Sequence, residues 1–262
     1  MSEVNMETQT NFSIDELLTV TAARALAGKN VVFAGIGLPT LAVSLAQETT
    51  SPNIEVIYES GVCGAHPSAL PATIADSVLI TGSEAVLNLA ALFGYVLQGE
   101  RIDVGFLGAA QIDKFGNLNS SVIGDWHNPK KRLPGSGGAH EVLANARETF
   151  VIMRRHTKRS FVTECDFITS ASPDRAIAEG ARSNAKGVTR VFTQFGVLAR
   201  ENVGEELILT GIHAGVDVAE VIAETGWDLK VSPNLEILPV PTQAELELLR
   251  NEIDPNGMYL RP

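Results

Sequence analysis

Val31-Val32-Phe33-Ala34-Gly35-Ile36-Gly37-Leu38-Pro39 reads as a short buried strand broken by a glycine turn, and from Thr40 to Ala46 the apolar spacing becomes helical. Four consecutive apolar residues suit a strand covered on both faces. The unit recurs along the chain. Ile54-Glu55-Val56-Ile57-Tyr58 is a strand ended by Glu59-Ser60-Gly61, and residues 102–107 form a strand that enters Gly108-Ala109-Ala110-Gln111. Further strands are expected at 150–153, 206–210 and 235–238, with weaker ones at 78–80 and 161–162. Helices are expected at 14–26, 217–225 and 242–252. Ser13 and Glu16 form a capping box for the first, Gly28 stops it, and Thr242 caps the last.

Short apolar strands alternating with helices predict an α/β fold: a three-layer α/β/α domain with a mainly parallel sheet. Residues 12–262 read as one domain, residues 1–11 as a flexible polar tail, and the Pro/Gly-rich stretch 128–139 as a loop of that domain. In open α/β sheets ligands bind at the carboxyl ends of strands, so the Gly-rich turns there are the places to search for chemistry.

Composition narrows the function. The chain has 262 residues, 45% apolar and 19% charged, with a net charge of -11. Such an acidic chain is a poor partner for nucleic acid or an anionic membrane. No apolar run is long enough to span a bilayer, and the polar first residues do not read as a signal peptide, so the cytoplasm is the expected compartment. Two cysteines, Cys63 and Cys165, make no disulfide framework, and five scattered histidines give no metal-ligand spacing. No metal site is expected.

Five segments could carry chemistry. Gly35-Ile36-Gly37 is placed like a phosphate-binding turn, but position 40 is Thr, so the dinucleotide fingerprint fails and a tight structural turn suffices. Glu59 ends an apolar strand and is followed by small residues, Ser60-Gly61-Val62-Cys63-Gly64. It could be a nucleophile, a general base or a metal ligand, and an ordinary loop carboxylate fits the same pattern. Cys63 and His66 read as a packed thiol and a surface imidazole. Asp113-Lys114-Phe115-Gly116-Asn117 is a turn with Gly116 at positive φ. The basic run Lys130-Lys131-Arg132 is a solvated loop or an anion contact, and Gly135-Ser136-Gly137-Gly138 can present backbone N–H groups as an oxyanion hole.

Together these segments, in this order, resemble the family I coenzyme A transferases, in particular their B (β) subunits of the glutaconate and 3-oxoadipate type. The likeness is carried by Gly35-Ile36-Gly37-Leu38-Pro39, Tyr58-Glu59-Ser60-Gly61, residues 105–113, Phe115-Gly116-Asn117-Leu118-Asn119, Gly124-Asp125-Trp126-His127-Asn128-Pro129-Lys130, Gly135-Ser136-Gly137-Gly138-Ala139 and Asp166-Phe167-Ile168-Thr169-Ser170. The resemblance implies Glu59 as the nucleophile that becomes a glutamyl-CoA thioester in a ping-pong reaction. It implies Gly137, Gly138, Gly108 and Ala109 around the oxyanion and CoA, and Ser60, Gly61 and Gln111 in the substrate pocket. It further implies CoA as an acyl-CoA substrate with no tightly bound cofactor, a (3-oxo)dicarboxylic acid such as 3-oxoadipate or glutaconate as acceptor, and a homologous A subunit in an α2β2 heterotetramer. Relatives on this scaffold include decarboxylases and hydrolases of CoA thioesters. Glu59 argues against these, and a non-catalytic CoA-binding subunit is the third reading. Residues 171–180 depart from the family's Gly/Pro-rich run, and Ala214 stands where Pro is usual, both of which bear on the acyl pocket or the subunit contact.

Overall fold

The computed structural model describes residues 11–180 and 183–260. The expected tail, 1–11, lies outside them except for Asn11, whose carbonyl accepts from Arg250 at 2.8 Å. Helix α1 (Ile14–Arg24) starts at the Ser13 capping box: the Ser13 hydroxyl accepts from Glu16 N–H, and the Glu16 carboxylate accepts from Ser13 N–H. Next come β1 (Val31–Phe33), α2 (Leu38–Glu48) and β2 (Glu55–Ile57), then the two-residue strands β3 (Val62–Cys63) and β4 (Ala85–Val86). Helix α3 (Leu89–Ala91) continues as π-helical turns through Leu97 and leads to β5 (Val104–Leu107).

Two small ribbons follow, β6 (Gln111–Ile112) with β7 (Leu118–Asn119) and β8 (Val122–Gly124) with β9 (Pro129–Arg132). The chain then forms α4 (Ala139–Asn145), β10 (Glu148–Met153), α5 (Pro173–Ala178), β11 (Val188–Thr193), β12 (Gly196–Ala199) and β13 (Ile208–His213). It ends with α6 (Val218–Ala223), β14 (Val231–Leu238) and α7 (Gln243–Glu247), the last running on as π-helical turns to Ile253.

One ten-stranded sheet has the order β14-β13-β12-β11-β10-β5-β1-β2-β3-β4. Its central strands β11, β10, β5, β1 and β2 are all parallel, whereas β12 and β3 run against their neighbours. Alternation along the strands creates the two faces. Val32 and Val56 pack into the cluster built by α1 and α2, while their neighbours Phe33 and Ile57 pack against Leu92, Leu97 and Val142 of the α3–α4 side. The expected three layers are therefore present. At Gly105 a side chain would bring Cβ within 2.3 Å of Val142 Cγ1, so a glycine is what lets α4 lie this close to β5.

The chain leaves β1 toward β2 on one side, and leaves β5 toward β10 on the other. The adjacent carboxyl ends of β1 and β5 thus form the topological switch point, where an open sheet has its ligand crevice.

Several local expectations are corrected. Residues 78–80 are not a strand: Asp76 caps a 3₁₀ turn at Ser77–Leu79 by accepting from Val78 N–H. The pair 161–162 makes a single bridge to Ile112 rather than a strand. The stretch 128–139 is not loop throughout, because Pro129–Arg132 pairs with β8. A two-stranded ribbon with solvent beside it tolerates three adjacent cations that a central strand would exclude.

Candidate active site

Glu59 stands at the carboxyl end of β2, one strand from the switch point. A tight turn presents it: Gly61 N–H donates to Tyr58 O, and Tyr58 N–H donates to Val62 O, both at 2.9 Å. Gly61 has φ +96°, and a Cβ there would come within 2.0 Å of Leu87 O, so the turn requires glycine. Beneath Glu59, Tyr58 is buried, and burial pushes its phenol up to about 12, which keeps that neighbour uncharged.

The Glu59 carboxylate reaches the Gly-rich loop. Its Oε1 accepts from Gly138 N–H at 2.9 Å, at the start of α4, where the helix dipole favours an anion. Gly137, at φ +47°, lies against the same oxygen, 3.3 Å from where its Cβ would be. At Gly138 a Cβ would meet Phe93 Cζ at 2.8 Å and Glu59 Oε1 at 3.2 Å. Phe93 had no recognisable signal in the sequence, since an aromatic at helical spacing is usually core.

That loop is itself held. Leu133 N–H donates to Ser121 O, Gly135 N–H donates to Ser120 O, and the Ser120 hydroxyl donates to Gly135 O. Buried Asn119 shapes the 119–122 turn: its amide nitrogen donates to Gln111 Oε1 and Val122 O, both at 2.7 Å, and its oxygen accepts from the N–H groups of Ser121 and Val122. Gln111 is buried, donates to Asp166 Oδ2 and accepts from Asp166 N–H as well as from Asn119. Its amide is committed to this network.

The structure thus brings Glu59, Gly61, Gly137 and Gly138 together, and links Gln111 to them through Asn119 and the Gly135 loop. Gly108 and Ala109 lie at the carboxyl end of β5, with β1 between them and β2, and Gly108 is exposed. Ser60 Oγ is buried and has no hydrogen-bond partner among the described residues. Cys63 is half-buried, with its thiol pushed up mainly by burial, and His66 is exposed. Among the described residues no cluster of His, Cys, Asp and Glu could hold a metal ion.

A groove of about 1300 Å³ lies elsewhere, on the sheet face of β11 to β14, lined by residues such as Arg190, Phe192, Val197 and Asn234. Neither Glu59 nor its neighbours Gly137 and Gly138 line it, and the chemistry is better sought where a carboxylate meets backbone donors. No helix among the described residues is long and apolar enough to cross a membrane.

Comparison with known proteins identifies the family. The coenzyme A transferase family profile matches residues 16–224. The chain is 42% identical over 241 residues to the B subunit of 3-oxoadipate CoA-transferase from Pseudomonas knackmussii, covering 91% of this chain and 92% of that one. It is 31% identical over 266 residues to the B subunit of glutaconate CoA-transferase from Acidaminococcus fermentans, covering 98% of each. It superposes on the crystal structure of glutaconate coenzyme A-transferase from that organism with a TM-score of 0.87 at 30% identity, over 97% of this chain and 99% of that one. A glutamate held by the Gly138 N–H beyond a strand end therefore sits in a chain that belongs to the coenzyme A transferase family and is similar to its B subunits.

Proposed function

We propose that the chain is the catalytic B subunit of a CoA-transferase in which Glu59 is the nucleophile. The observation that carries this is the 2.9 Å hydrogen bond from Gly138 N–H to Glu59 Oε1, which puts a carboxylate beside a preorganised backbone donor. Glu59 attacks the thioester carbonyl of an acyl-CoA, and the tetrahedral oxyanion collapses to an acyl-glutamyl anhydride with release of CoA thiolate. The thiolate then attacks the glutamyl carbonyl, expelling the first acid as its carboxylate and leaving a glutamyl-CoA thioester. The acceptor carboxylate reverses the two steps, which makes the kinetics ping-pong. A carboxylate serves as nucleophile and leaving group throughout, so no tightly bound cofactor is required. Gly137 and Gly138 N–H groups stabilise the oxyanions, and Gly108 and Ala109 form part of the CoA rim.

Ser60 and Gly61 border the acyl pocket. Gln111 acts indirectly, by holding Asn119, since its own amide is already bonded. The acids are (3-oxo)dicarboxylates such as 3-oxoadipate or glutaconate, suggested by the named relatives. A homologous A subunit closes the site in an α2β2 assembly in the cytoplasm, with residues 12–262 as one domain.

The test uses the complex with its A subunit. Incubation with acyl-CoA followed by borohydride reduction should inactivate the enzyme and modify Glu59. Full activity in Glu59→Ala would overturn the assignment, and release of carbon dioxide would indicate a decarboxylase instead.

A further inference from the structure

The basic β8–β9 ribbon has no part in the chemistry above, yet it is tied to the loop that holds Glu59. Lys130, Lys131 and Arg132 are exposed on β9 in a chain of net charge -11. None of them has a carboxylate partner among the described residues, whereas Lys29, Lys114, Arg147, Arg200, Lys230 and Arg250 do. The ribbon's own acid, Asp125, is engaged by the N–H groups of His127 and Asn128, and nearby Asp166 is engaged by Gln111 and Gly124. The Arg132 guanidinium is fixed: it lies 4.4 Å over the Trp126 ring, donates to Trp126 O, and Trp126 stacks on Phe167 at 4.8 Å.

From Arg132 the chain reaches Gly138 in six steps, at most about 20 Å when extended, and Leu133 and Gly135 anchor that stretch to Ser121 and Ser120. An extended pantetheine arm spans such a gap.

We propose that this ribbon is the landing site for the phosphorylated ADP end of CoA, with Lys130, Lys131 and Arg132 contacting its phosphates. The inference rests on the CoA-transferase reading. Fixed and unpaired cations are suited to phosphate oxygens, and they create a local positive field on an otherwise repelling surface. The other basic run, Arg154-Arg155 and Lys158-Arg159, follows β10, three strands from β2, and Arg154 already pairs with Asp15.

The test titrates the complex of this chain and its A subunit with CoA, dephospho-CoA and pantetheine. Replacing Lys130, Lys131 and Arg132 together by Gln should weaken CoA at least about tenfold and flatten its salt dependence, dephospho-CoA less, and pantetheine not at all. Arg132→Lys should retain part of the affinity, and Arg155→Gln/Lys158→Gln/Arg159→Gln should leave CoA binding unchanged. Unchanged CoA affinity in the first variant, equal weakening of pantetheine, loss of the A subunit, or loss of CoA binding in the second variant would each overturn the proposal. Failure of borohydride trapping with the ribbon effect intact would count against Glu59 alone.

Discussion

Two neighbouring regions treat their polar groups in opposite ways. In the 111–122 region the side-chain amides of Gln111, Asn117 and Asn119 are all bonded, and the Asp113 carboxylate accepts from Phe115 N–H, Asn117 N–H and the Asn117 amide. In the 58–61 turn, Glu59 has Gly138 N–H as its hydrogen-bond partner among the described residues and no cation paired with it. Saturation makes the first region a rigid scaffold, since any rearrangement would leave a buried polar group without a partner. Sparse bonding leaves the carboxylate held in place with lone pairs free to attack. The difference teaches that, on the proposed mechanism, reactivity would come from what is withheld from Glu59, and precision from what is given to its surroundings.

The comparison is broken most sharply at Glu59 itself. Glu59→Gln keeps the shape but removes the proposed nucleophile, and kcat in the complex should fall by at least about 10³-fold with little change in Tm. Asn119→Ala attacks the scaffold instead. It strips partners from Gln111 Oε1, Val122 O and the N–H groups of Ser121 and Val122, and should cost about 3 kcal/mol in denaturant unfolding. Gly138→Ala touches both regions. Its Cβ would press on Phe93 and on Glu59 Oε1, and the displaced donor should lower kcat by about 30-fold, measured beside KM for acyl-CoA.

The smallest effect concerns a scaffold atom that escapes saturation. His156 is buried, and burial pushes its imidazole down to about 3. Because Thr225 Oγ1 donates to Val221 O, His156 Nε2 is the donor to Thr225, and Nδ1 is left without a partner among the described residues. The ring is neutral in the fold but charges on unfolding below its ordinary value, so its contribution is present at neutral pH and is lost as pH falls. Stability should drop by about 1 kcal/mol between pH 6.5 and 5.5 from this group. His156→Gln should flatten that part of the pH profile, read by thermal melts.

Much of this scaffold is legible in the sequence. Residues 31–33, 55–57 and 104–107 are readable as strands because short, mostly apolar runs end in turns rich in small residues, and Glu59 stands out as a carboxylate at such an end. The strands β3, β4, β6 and β7 are two residues long, too short for any periodicity. In β11 the pattern is interrupted by Arg190, whose guanidinium lies over the Phe150 ring 5.4 Å from its centroid, a contact that only tertiary structure creates. The glycines at 137 and 138 suggest an oxyanion role, but their approach to Glu59 depends on α4 packing at Gly105, some thirty residues earlier in the chain. Gln111 stands out in its motif, but its partners Asp166 and Asn119 are brought to it only by tertiary structure.

The bond between Glu59 and Gly138 joins residues 79 apart in sequence. At about 5–20 residues per second of synthesis, the glutamate leaves the ribosome several seconds before the N–H that will hold it. Strand β1 likewise has β2 available early and waits for β5 to complete its pairing. The nascent chain therefore carries Glu59 unassembled, and the geometry around its carboxylate arises only when the glycine loop, and α4 behind it, have been made.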